Sequence, residues 1–201
     1  MNEGAERGEA AARRLAELDC CLLTPGLTDA EFARIEREYG FEFAHDHRAF
    51  LAVALPVARP FDPATGDPAA RRPPWPDWRD GDPEELRGKV AWPVEGVLQA
   101  VEHGWWDPAW GERPAPAAAA VAAAKRRAEA APRMVPVFSH RYLPGGHGSS
   151  GRPVLSMMGA DIIYYGTDLL DYLNQEFGGS GRASLAALTK QDAGPFWSDF
   201  L

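Results

Sequence analysis

The 201-residue chain is 45% hydrophobic, 25% charged and 10% aromatic, an ordinary globular composition with enough length to bury one core. Its 29 acidic residues against 21 basic ones give a net charge of −8, which argues against a general nucleic-acid binder, since phosphate contacts need a cationic excess. No apolar run reaches the ~18–20 residues that cross a bilayer, and Met1 to Asp19 lacks the apolar stretch of a secretory signal, so a cytoplasmic protein is expected.

Residues Ala5 to Leu18 form a polar, Ala-rich helix candidate with Leu15 and Leu18 as its main apolar contacts. It reads as a loosely packed extension over residues 1–26. Cys20 and Cys21 are adjacent, so they can neither staple a loop nor make a zinc site alone, and no metal or other cofactor is expected. After the Thr24-Pro25-Gly26 break, Thr28 and Glu31 have the spacing of a capping box. Phe32, Ile35 and Tyr39 follow at helical spacing and Gly40 stops the helix. Asp46 then caps a second helix that buries Phe50, Leu51, Ala54 and Leu55 and ends before Pro56.

From Pro56 to Pro83 the chain carries eight prolines, which excludes a central strand or a long helix there. Trp75 and Trp78 make this an ordered excursion lying on the body. Asp77, Asp80, Asp82, Glu84 and Glu85, relieved by Arg79 alone, form a concentrated acidic run: a solvated loop or a docking site for a basic partner. Past Trp92-Pro93, residues Val94 to His103 read as a helix with Val97, Leu98 and Val101 facing inward, ended by Gly104. Trp105, Trp106 and Trp110 follow, as a stacking platform for a partner or as core. Ala115 to Ala131 is helical by propensity until Pro132.

The last third changes character. Met134–Phe138, Val154–Met158 and Asp161–Tyr165 read as strands. Thr167 then caps a helix, and Ile162, Ile163, Leu169, Leu173 and Phe177 are expected to form a core seam between the last strand and that helix. Phe196, Trp197, Phe200 and Leu201 give the tail, 178–201, an apolar anchor on the body. Helices, then strands, then a helix predict an α+β fold.

Three patterns could carry chemistry. Gly146-His147-Gly148-Ser149-Ser150-Gly151 has the G-x-G-x-x-G form, but Arg152-Pro153 and a strand follow where a phosphate site needs a helix start. His45-Asp46-His47 could ligate a metal from a strand, yet it leads into a helix, where positions i and i+2 point apart. His140, Arg141 and Tyr142 sit at a strand end and could bind an anion or exchange protons; the alternative is that His140 and Arg141 bond loop carbonyls and orient Tyr142. No nucleophile elbow or telling pair of carboxylates accompanies them.

Leu27-Thr28 with Phe32, Ile35, Tyr39, Phe43 and the Asp46–Leu51 stretch resembles the opening of the SUKH superfamily, the Smi/Knr-type group. The segment from Val135 to Pro144 resembles that group's bacterial branch, as do Gly151 to Ser156, Asp161 to Leu169, and Tyr172-Leu173 with Glu176-Phe177. The similarity runs over 27–177, with residues 56–133 as a long Pro- and Trp-rich insertion. It implies a single α+β domain, with a mostly antiparallel sheet and helices packed on one face, that binds proteins and is not an enzyme, with no catalytic residues to assign. Many bacterial members look like immunity proteins that neutralise a cognate toxin. Within such a reading Trp78, Asp80, Asp82, Glu84, Glu85, Trp105, Trp106 and Trp110 are the expected partner-binding residues. The alternative is a small-ligand binder or enzyme using His140, Arg141 and the glycine loop.

Overall fold

The computed structural model describes residues 3–59, 75–179 and 185–201. In chain order its elements are α1 (Glu3–Leu18), β1 (Leu22–Pro25), α2 (Asp29–Tyr39), α3 (His45–Val53), β2 (Ala54–Val57), α4 (Pro83–Glu102) and α5 (Ala117–Ala128). Strands β3 (Met134–Phe138), β4 (Arg141–Pro144), β5 (Val154–Met158) and β6 (Asp161–Gly166) follow, then α6 (Leu169–Phe177) and three short 3-10 turns in the tail. The fold is α+β. β3 to β6 form an antiparallel meander in chain order, and β1 pairs with β2 in a separate antiparallel ribbon.

Capping chemistry sets the clearest borders. Thr28 Oγ1 accepts the N–H of Glu31 and the Glu31 carboxylate accepts the N–H of Thr28, so both halves of the expected capping box are present. Gly40 ends α2 in the left-handed conformation, φ 69°. Two expected caps move. Asp46 lies inside the first turn of α3, after an uncapped Ala44, and Asp168 rather than Thr167 caps α6 by accepting the N–H of Asp171 at 2.8 Å. Ala54 and Leu55 leave the helix for β2, where Leu55 pairs with Thr24.

The first helix is not a loose extension. Ala11, Ala12 and Leu15 are buried, and α1 packs on both α3 and α6. A Cβ on Gly8 would lie 2.2 Å from the Asp46 carbonyl oxygen, so only glycine allows this approach. Alanine and glycine carry little apolar area, which is why the sequence understates this face.

Helices cover the sheet on both faces, not on one. Alternation along the strands sends Val135, Val137, Leu143 and Val154 into a cluster with α1, α2, α3 and α6. Met134, Tyr142, Leu155, Met157 and Ile162 enter a second cluster with α4, α5 and the tail. The expected seam divides accordingly. Ile162 is buried on the side away from α6, Ile163 is 43% exposed, and Leu169 and Leu173 pack in the first cluster. Trp197 anchors the tail by donating from Nε1 to the Pro132 carbonyl at 2.9 Å.

Helix α4 starts eleven residues before the expected Val94 and runs straight through Pro93. Proline has no N–H for the carbonyl of Lys89, four residues back. The hydroxyl of Tyr142, on β4, donates to that carbonyl at 3.0 Å. Tyr142→Phe should therefore cost about 1–2 kcal/mol by leaving the carbonyl without its donor. Urea unfolding measures it, and an unshifted midpoint would mean that solvent already serves that carbonyl.

Candidate functional site

Strands β3 and β4 are joined by Ser139 and His140, since Phe138 pairs with Arg141. Ser139 has φ 51°, the left-handed region that a residue with a Cβ enters at a cost. Its Oγ lies 3.0 Å from Nδ1 of His140, and the His140 carbonyl accepts the N–H of Met157. Burial lowers the imidazole pKa, with the charge of Arg141 pushing the same way and Glu176 opposing. The ring is therefore neutral at pH 7.

Against this turn lies an open cleft of about 450 Å³ lined by Gly88, Lys89 and Trp92 of α4, Ser139, His140, Tyr142 and Met158. Trp92 is held by a hydrogen bond from Nε1 to the Met157 carbonyl at 3.2 Å. Tyr142 forms the floor, its phenol pKa raised by burial. Met158 is 52% exposed.

Arg141 does not join His140. Adjacent strand residues face opposite sides, and the guanidinium reaches Ser156 Oγ at 3.1 Å and Glu176 at 3.6 Å, lying 3.7 Å from the Tyr165 ring centroid. It ties the sheet to α6. The glycine loop is also committed. The N–H groups of Gly146, His147 and Gly151 donate to the Glu42 carbonyl, the Glu42 carboxylate and Asp46. His47 is buried against Phe43 and Phe50, and burial pulls its pKa down to about 3. Among the described residues no group of three or more His, Cys, Asp or Glu is arranged to hold a metal ion.

The tryptophans of the expected partner surface face inward. Trp78 is 1% exposed, edge-on to Tyr39, Phe41 and Phe43. Trp110 is buried, stacked on Phe196 and bonded through Nε1 to Asp199 at 2.8 Å. Neither can serve as a contact residue. Trp105 stacks on Phe200 and Trp106 donates to the Gly111 carbonyl, both half-buried. These rings fasten the 75–110 segment and the tail to the body.

The acids remain at the surface. Asp80, Asp82, Glu84 and Glu85 are exposed, but they stand at a helix start rather than on a loop: Asp82 caps α4 by accepting the N–H groups of Glu84 and Glu85, with Pro83 in the first position. Arg79, the nearest cation in sequence, is turned away. It donates to Glu31 at 2.6 Å and to the carbonyls of Pro25 and Gly26. Its hydrogen bond, with that of the Thr28 N–H, holds the Glu31 carboxyl down to about pKa 2.

Sequence reasoning missed Gly88, Lys89, Trp92 and Met158. Asp82-Pro83-Glu84-Glu85 is a helix-start signature, and with it recognised Gly88 stands out as a glycine inside a helix. No protein-family model, curated protein or solved structure matches this chain.

Proposed function

We propose that this is a non-enzymatic protein-binding module of the SUKH type, a cytoplasmic immunity-like protein that holds a basic toxin. The observation that carries the reading is the acidic ridge at the start of α4. Asp80, Glu84 and Glu85 project from a rigid helix end pinned by Trp78, while Arg79 spends its charge on Glu31. Arg87 and Lys89 are the nearby cations: Arg87 pairs with Glu84 at the surface and also with Glu38 of α2, and Lys89 pairs with Glu85. Such a surface steers a cationic partner and raises its association rate. The resemblance over residues 27–177 supports the same class.

Co-expression with a toxin encoded beside this protein should protect cells. Asp80→Lys, Glu84→Lys and Glu85→Lys together, with the Asp82 cap retained, should weaken toxin binding about tenfold or more and flatten its salt dependence. Full affinity in the folded triple variant would place the contact surface elsewhere.

A further inference from the structure

We propose that the cleft between α4 and the β3–β4 turn binds a small aromatic carboxylate. Two residues there depart from local preference: one has no packing reason, and the other, not a glycine, holds the positive φ that a two-residue hairpin turn needs. Gly88 lies inside α4, where glycine disfavours the helix relative to alanine, yet a Cβ at that position would meet nothing within 4 Å. Gly96, on the same helix, differs: its Cβ would come 3.2 Å from Gly159, so close packing accounts for it. Ser139, across the cleft, holds a left-handed backbone without being glycine. Both departures fall on the same concave surface, and the bare wall at Gly88 keeps it open.

The walls select a flat ring. The Trp92 indole is fixed by its bond to Met157, the Met158 thioether stands free to close over a ligand, and Tyr142 underlies both. A space of about 450 Å³ accepts one or two fused rings. The polar end selects a single negative group. Lys89, its side chain 20% exposed, pairs with the exposed Glu85 at 3.4 Å, a partner that a ligand carboxylate can replace, and His140, its ring neutral, lines the same cleft. Glu85 close by disfavours a dianion such as phosphate. The cleft borders the acidic ridge through the Lys89–Glu85 pair, but the Gly88 and Lys89 variants leave Asp80, Glu84 and Glu85 in place, so either proposal can fail alone.

The test is a titration of protein carrying 13C-methyl methionine, followed by NMR. Met134 and Met157 are buried and serve as references for Met158. Benzoate and indole-3-carboxylate should shift the Met158 methyl saturably, binding at least about fivefold more tightly than benzamide and cyclohexanecarboxylate. Gly88→Leu should melt at or above the wild-type temperature while binding falls about tenfold, and Gly88→Ala should show the same trend more weakly. Lys89→Met should abolish the preference for benzoate over benzamide. The proposal is overturned by no saturable shift up to about 10 mM ligand. Equal response to all four compounds, or undiminished binding by the Gly88 variants, overturns it as well.

Discussion

Trp78→Ala should lower the unfolding free energy by about 3–5 kcal/mol, the range for removing a buried aromatic side chain. The ring is 1% exposed, with centroids 5.5–5.7 Å from those of Phe41, Phe43 and Tyr39. Each edge-on pair adds roughly 0.5–1.5 kcal/mol beyond the area it buries. The residue joins the start of α4 to α2 and to the 41–43 segment, and Arg34 adds a hydrogen bond to its carbonyl at 2.8 Å. Nε1 of Trp78 makes no hydrogen bond, so Trp78→Phe orphans no polar group and should cost much less. Urea unfolding followed by circular dichroism separates the two. A loss below about 1 kcal/mol for the alanine variant would mean that these rings are not close-packed.

Acid should destabilise the protein before its carboxylates titrate. His47 has a folded pKa of about 3 because burial disfavours its charged form, against 6.5 for the free side chain. Between those values the unfolded chain binds a proton that the folded one does not, so stability rises with pH and is lost as pH falls. From pH 6.5 to 4.5 the loss should reach about 2–3 kcal/mol, at up to ~1.4 kcal/mol per unit. His140, also shifted down, acts in the same direction. Asp46 opposes at the acid end: burial raises its pKa, so its folded carboxyl takes up a proton before the unfolded one does. His47→Leu should flatten the profile of unfolding free energy between pH 7 and 4.5. An unchanged slope in that variant would assign the acid sensitivity to other groups.

What the sequence made legible was local chemistry. Thr28, Glu31 and Gly40 frame α2 because a cap is decided within four residues, and the strands at 134, 154 and 161 carry their own β-branched and aromatic signal. Long-range compensation was not legible. Pro93 reads as the border before a helix at Val94 because nothing near it shows that a tyrosine 49 positions later will satisfy the freed carbonyl. Arg141 and Pro144 hid β4, since a charged residue and a proline flank only Tyr142 and Leu143. Part of the candidate site fared better. His140 and Tyr142 stand out in the sequence and line the cleft, whereas Arg141 turns to the opposite face and the α4 wall depends on a helix start that the surrounding prolines obscure. The tryptophans read equally as contacts or as core because aromatic enrichment is the same in an interface and in a core.

The sheet is a continuous stretch of chain placed between two layers drawn from both sides of it in sequence. One layer comes from residues before 58, from Trp75, Trp78 and the start of α4, and from α6, the other from the rest of α4, α5 and the tail. During synthesis α1 to α5 emerge before β3, the first strand of the surface on which either layer rests. Until then α1 to α5 hold apolar faces with no sheet to cover, and helices that form early must wait for distant closure. The nascent chain is thus most open to aggregation before β3 to β6 arrive. Once those strands form, both layers can settle on one template, which couples two otherwise separate hydrophobic clusters into a single cooperative transition.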